Sequence, residues 1–203
     1  MKTKILSYKD IMNIFVDVPE GEKGDWKISR FEVDEAGASF HNLRCSISGS
    51  RRTIETGIYT KLTRKGCLVM SDTPAEKQDH CYFLYKAKGD ILINGLGLGW
   101  VVEVLLKMSQ VTSITVIEIS SDLIELVSNH YYSKDINDKL IIINADALTW
   151  KPPKNKRYDV VWNDIWDDIC SDNLENMKKL HRRYGRRSDW VGSWCRAECE
   201  YRR

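Results

Sequence analysis

Apolar and polar positions change rhythm partway along the chain. From residue 26 to 70, short apolar-rich runs at 27–33, 38–47, 53–62 and 67–70 are divided by Asp34-Glu35-Ala36-Gly37, Ser48-Gly49-Ser50 and Lys65-Gly66. Runs of this length with Gly- and Ser-bearing breaks predict antiparallel hairpins, hence a small β-rich region over residues 1–70. Ahead of them, 11–18 reads as a short helix or strand ended by Pro19-Glu20-Gly21.

Beyond residue 70 the period becomes helical and alternates with short apolar strands. Ser71-Asp72-Thr73-Pro74-Ala75-Glu76 is a helix start. Asp72 or Thr73 can cap, Pro74 suits the first turn and Glu76 stands near the capping-box position. That helix is expected to reach about residue 87. Ile91, Leu92 and Ile93 form a buried strand, and Val101, Val104, Leu105 and Met108 share one face of the helix after it. The run 113–117 is a second strand, closed by Glu118. A helix capped by Ser120 or Ser121, strands at 140–143 and 158–162, and a helix from Asp172 to about Tyr184 complete the pattern. Strands alternating with helices predict a parallel sheet covered on both faces. The expected fold class is α/β, a shortened doubly wound (Rossmann-like) sheet over residues 71–187, with a basic, Trp-containing tail at 188–203.

Composition adds little to this picture, and charge adds more. The 203 residues are 42% hydrophobic and 30% charged, a globular balance. No apolar run nears the ~20 residues of a membrane span, and Lys9 and Asp10 interrupt any signal-peptide core. The expected compartment is cytoplasmic, with no membrane partner. The six cysteines have neither metal-ligand nor disulfide-framework spacing, so they are expected reduced, with no metal site. The net charge of +2 is uneven: residues 178–203 carry nine Lys or Arg against three acids. That excess suggests either an anionic partner or a contact with the acidic body of the chain. Trp190, Trp194 and Tyr201 interleave with the arginines, as in surfaces that bind nucleic acid, but the favoured expectation is a basic helix face and a Trp-anchored tail packed over the exposed sheet edge.

The candidate chemistry begins at Asn94-Gly95-Leu96-Gly97-Leu98-Gly99. Three glycines at alternate positions allow a tight turn and close backbone approach to a ligand. Glu118 follows Gly97 by 21 residues, the spacing at which a carboxylate after the second strand meets ribose hydroxyls. Asp146 and Asp164 stand at the ends of the third and fourth strands. In a doubly wound sheet these ends converge on one crevice.

With GLGLG, VIEIS, N-A-D-A and YDVVWNDIWDD in these places, residues 66–182 resemble the class I S-adenosylmethionine-dependent methyltransferases, and among them most closely the spermidine synthase-like aminopropyltransferases. The resemblance implies S-adenosylmethionine as cofactor. It implies contacts from Gly95, Gly97 and Gly99 to the methionine part, from Glu118 to the ribose and from Asp146 with Ala147 to adenine, with further cofactor contacts from Asn94, Leu96, Ile119 and Asp164. It implies a catalytic D-x-x-D, here Asp164 and Asp167, the first deprotonating an amine and the second holding it. Asp79, His80 and Trp166 are weaker substrate-site candidates. Leu98 replaces the aspartate that reads the amine of the decarboxylated cofactor in aminopropyltransferases. Only 39 residues follow Asp164, so a shortened acceptor half is expected. The expected activity is therefore methyl transfer to a nitrogen or other nucleophile of a small molecule or nucleic acid. The alternatives are aminopropyl transfer, or non-catalytic nucleoside or nucleic-acid binding. A homodimer is compatible with these readings.

Overall fold

A computed structural model describes residues 6–201. A four-stranded antiparallel sheet precedes a five-stranded parallel one. Helix α1 (Tyr8–Met12) begins at a capping box between Ser7 and Asp10. Strands β1 (Gly21–Lys23) and β2 (Trp26–Val33) form a hairpin, helix α2 (Glu35–Ser48) intervenes, and β3 (Gly57–Arg64) and β4 (Cys67–Ser71) complete the first sheet in the order β1-β2-β3-β4.

Helix α2 corrects the strand expected at 38–47. The Asp34 carboxylate accepts from Gly37 N at 2.7 Å, and Gly49 ends the helix in the left-handed conformation. These are N-cap and C-cap devices that outweigh a short apolar run. Asn42 on the packed face exchanges two 2.8 Å hydrogen bonds with the Ile54 backbone. The apolar residues that suggested a strand, Phe40, Leu43 and Ile47, are exposed.

Helix α3 (Pro74–Lys86) leads into β5 (Gly89–Asn94), α4 (Trp100–Lys107), β6 (Val111–Glu118), α5 (Ser121–Lys134), β7 (Leu140–Asn144), β8 (Tyr158–Asn163), α6 (Asn173–Tyr184), β9 (Ser188–Ser193) and α7 (Arg196–Tyr201). The second sheet runs β7-β6-β5-β8-β9, all parallel. This is the doubly wound order, which reverses direction at β5. Ile91 and Ile93 enter one core and Leu92 the other, so alternate residues of β5 serve the two helix-covered faces.

Strand β9 corrects the tail expected at 188–203. Phe83, Trp162 and Trp190 stack in series, with centroids 5.0 and 6.2 Å apart and planes within 9°. A Cβ at Gly192 would strike the Trp162 and Trp190 rings, so this glycine makes room for the stack. An aromatic pair across β8 and β9 thus recruits a segment whose composition is polar. The basic residues here serve the fold too. Arg183 donates to the carbonyls of Ala147, Leu148 and Trp150, and Arg157 donates to the Arg186 carbonyl. Arg202 and Arg203 lie outside the described residues. Among the described residues, no helix is long and apolar enough to cross a membrane.

Candidate functional site

The order reversal at β5 leaves a crevice between the carboxyl ends of β5 and β8. The two ends touch: Asp164 N donates to the Asn94 carbonyl at 2.8 Å, and a Cβ at Gly95 would overlap the Asp164 carbonyl. Gly95 has φ +101°, a region that glycine enters freely. Around this point opens a cavity of about 480 Å³, a typical volume for a small-molecule site. Gly95, Leu96 and Gly97 line it, with Glu118 from β6, Asp146 and Ala147 beyond β7, and Asp164 and Trp166 beyond β8. The antiparallel sheet roofs it with Trp26, Leu62, Arg64, Leu68 and Met70.

The carboxylate of Glu118 is buried and pinned. Oε2 accepts from Leu96 N at 2.9 Å and Oε1 from Ser120 N at 2.8 Å. Each oxygen has a second lone pair, so the carboxylate is held in place while still able to accept. The Asp146 Oδ1 accepts from Leu148 N at 2.8 Å, which fixes its turn beside the apolar walls of Ile117, Ile119 and Ala147.

At the other end, the Asp164 side chain is only 20% exposed. Burial, with the nearby Glu76 and Asp79 carboxylates adding, raises its pKa to about 8. His80 lies 3.8 Å away, beyond hydrogen-bond range, between the Trp100 and Trp162 rings. Burial and the Arg52 cation lower its pKa to about 4. Near pH 7 both groups are therefore predominantly neutral. His80 Nδ1 and Trp166 Nε1 are buried without a partner, and both residues line the cavity. Unpaired buried polar atoms carry a desolvation cost that a bound molecule can relieve.

Asp167 reaches the cavity, but the Arg64 guanidinium pairs with its carboxylate, and Arg64 lies 5.2 Å over the Trp26 ring. The second carboxylate of the D-x-x-D pattern is thus neutralised from the N-terminal sheet.

Three expected site residues face elsewhere. Asn94 is fully buried, and its amide donates to Asn163 Oδ1 at 2.8 Å within the sheet. Gly99 makes room for the Tyr131 ring, whose hydroxyl donates to the Leu98 carbonyl at 2.8 Å. The third glycine of the turn is a packing position. Asp79 is absent from the cavity wall because Arg52 claims both its oxygens at 2.9 and 2.8 Å. The Leu98 side chain is also in the core.

No family model matches the chain. A curated relative, the polyamine aminopropyltransferase of Leptospira interrogans (serogroup Icterohaemorrhagiae, serovar copenhageni), is 32% identical over 83 residues, covering 38% of this chain and 17% of that protein. The chain therefore spans well under two thirds of the relative it matches. Among solved structures, it is similar to the CcbJ methyltransferase of Streptomyces caelestis (15% identity, 53% of this chain, 44% of that chain, TM-score 0.42). It is also similar to coclaurine N-methyltransferase bound to N-methylheliamine and SAH (16% identity, 54% of this chain, 32% of that chain, TM-score 0.42). The likeness is to methyltransferases, over about half of this chain.

Sequence reasoning missed Arg52, Arg64, Glu76 and Met70. Arg64 and Met70 reach the cavity from the N-terminal sheet, Arg52 from the loop between α2 and β3, and Glu76 from the first turn of α3, and no motif marks them. Glu76 gave one signal, its place in the first turn of α3. Its carboxylate reaches back to Ser71 N at 2.7 Å and Ser71 Oγ at 3.0 Å. Of the two residues expected to cap this helix, Thr73 is the N-cap, while Asp72 accepts from Val16 N at 3.0 Å and Thr60 N at 2.7 Å, fastening the N-terminal segment to β3. One Asp/Glu/His group among the described residues has metal-like spacing, Asp17, Glu103 and His130. The Lys134 ammonium already bonds to both Asp17 and Glu103.

Proposed function

We propose that this chain is an S-adenosylmethionine-dependent methyltransferase acting on a nitrogen or other nucleophile. The observation that carries the reading is the meeting of four strand ends, bearing Gly95–Gly97, Glu118, Asp146 and Asp164, in one cavity at the point where the sheet order reverses. The residues fit the cofactor: a pinned carboxylate for the ribose hydroxyls, an aspartate with apolar walls for adenine, and unpartnered buried nitrogens on His80 and Trp166 in the cavity wall.

The bound cofactor supplies an already activated sulfonium methyl, so the protein's share is alignment, dry walls and one proton. Asp164 takes that proton from the acceptor as its lone pair attacks. A carboxyl raised to about 8 is a stronger base once ionised than an ordinary aspartate, and the rate should rise with pH toward 8. Neutral His80 packs beside it and adds no charge of its own near pH 7.

Aminopropyl transfer is the second reading, supported by Asp164 and Asp167 both reaching the cavity and by the identity to an aminopropyltransferase. The Arg64–Asp167 pair and the core position of Leu98 count against it. The test is calorimetric titration with S-adenosylmethionine and its thioether product, followed by cofactor consumption across amine, hydroxyl and nucleobase acceptors. Absence of binding removes the proposal. Binding without turnover on any acceptor leaves a nucleoside-binding protein instead.

A further inference from the structure

The cavity has a charged end that the nucleoside contacts leave unused. Arg52 and Glu76 both line it, on the side of Asp164 and His80. The electrostatics place them together: the Arg52 cation acts on Glu76 and on His80, and Glu76 acts on Asp164. A side chamber of about 20 Å³ is walled by Met70, Glu76, His80, Gly95 and Asp164, which sets Glu76 beside the glycine turn.

The guanidinium of Arg52 is held but not used up. Nη1 alone makes both bonds to Asp79, so Nε and Nη2 retain the fork that matches a second carboxylate. Asp79 lies off the cavity wall and acts as a positioning group. Glu76 is half-buried, its two oxygens accept from Ser71, and desolvation raises its pKa. A carboxylate in that setting is stabilised by a cation arriving in front of it.

We propose that Arg52 and Glu76 form a zwitterion clamp for the amino-acid end of the cofactor. Arg52 takes the α-carboxylate and Glu76 the α-ammonium, so the site selects the carboxylated nucleoside over its decarboxylated form. This rests on the reading of the cavity as an S-adenosylmethionine site. The long axis then runs from Asp146 and Glu118, past Gly95 and Gly97, to Glu76 and Arg52. A ligand without the carboxylate leaves the Arg52 fork unmatched, and that differential contact is the source of selectivity. Nothing at Leu98 offsets it, since that side chain is in the core.

Three ligands separate the possibilities by titration calorimetry: S-adenosylhomocysteine, decarboxylated S-adenosylmethionine, and methylthioadenosine, which has the nucleoside and no amino-acid end. Wild type should prefer the carboxylated ligand over the decarboxylated one by about 10- to 100-fold, the worth of a charge-assisted contact. Arg52→Gln should erase that preference while leaving methylthioadenosine affinity unchanged, and Arg52→Lys should restore part of it. Glu76→Gln should weaken both amine-bearing ligands and spare methylthioadenosine. Because Arg52→Gln leaves Asp79 unpaired, methylthioadenosine binding is the internal control for a folded site. Equal losses for all three ligands, or no preference in wild type, overturn the clamp. If methylthioadenosine and S-adenosylhomocysteine both fail to bind wild type, the cofactor reading falls and the clamp with it.

Discussion

The two ends of the cavity are built by different means. At the nucleoside end, Glu118 and Asp146 are fixed by backbone N–H groups only two residues ahead in the chain, with Leu96 N added from the glycine turn that follows the adjacent strand β5. At the transfer end, charges are matched across long separations: Arg64 with Asp167, Arg52 with Asp79, and Asp164 buried beside Glu76 and His80. A binding group held by its own turn is a property of a short peptide in a sheet. A reactive group tuned by distant charges is a property of the assembled molecule.

The largest expected effect lies at the transfer end. Asp164→Asn keeps the shape and removes the base, so turnover should fall ~10²–10⁴-fold in a steady-state assay. Cofactor affinity by calorimetry should change little, because Asp164 meets the glycine turn through its backbone, which the substitution leaves unchanged, and Glu118 lies on another strand. Full activity in this variant would dissolve the contrast by leaving the transfer end without chemistry.

At the nucleoside end, Glu118→Ala should weaken cofactor binding by roughly tenfold to several hundredfold. It also strips acceptors from Leu96 N and Ser120 N, so Tm should fall as well. Wild-type affinity in the variant would show that the ribose is held elsewhere.

Smaller, and sharper, is a pH effect on stability. The folded pKa of Asp164 is about 8 against an ordinary 3.8. Its neutral form therefore contributes stability that is complete below about pH 4 and is lost as pH rises through about 8. Between pH 6 and pH 9 the Tm of wild type should fall relative to Asp164→Asn, by at least about 2 °C. His80 has the opposite sign: its folded pKa of about 4 gives stability present above pH 6.5 and lost as pH falls toward 4. It is common to both proteins and cancels in the difference. A Tm difference that is flat with pH would show Asp164 to be ordinarily solvated.

The smallest expected stability effect is at the roof. Arg64 and Asp167 are 46% and 39% exposed, so Arg64→Ala should cost no more than about 1 kcal/mol in a denaturant melt. It frees Asp167, however. If the aminopropyl reading is correct, polyamine-dependent consumption of decarboxylated cofactor should appear or rise in that variant. No polyamine activity in either protein would confine Asp167 to holding the roof.

The same contrast decides what could be read from the chain alone. Alternation of strands and helices, Gly95 and Gly97, Glu118, Asp146 and Asp164 were legible because each sits at a fixed offset from a strand end. Asn94 and Gly99 share those offsets, yet they serve the sheet and the Tyr131 ring, a distinction that only packing makes. Helix α2 was hidden because its caps, Asp34 and Gly49, look like turn residues of a hairpin. Strand β9 was hidden because the ring that holds it, Trp162, lies 28 positions before Trp190. Arg52 and Arg64 carry no local signature at all. Their partners are set by where the N-terminal sheet comes to rest.

Met70 ties that sheet to the glycine turn directly. Its sulfur accepts from Leu98 N at 3.1 Å and fills the space beside Gly97, where a Cβ would collide with it. The floor under the ligand is therefore shared property, its backbone supplied by β5 and its buttress by β4. The two sheets also share one apolar core, in which Trp26, Ile28 and Leu62 pack with residues of β5 and β6, so the glycine turn is shaped from both. Oxygen added to that one sulfur would press on the turn from outside, so an oxidant could reach the ligand's seat through a residue that belongs to the other sheet.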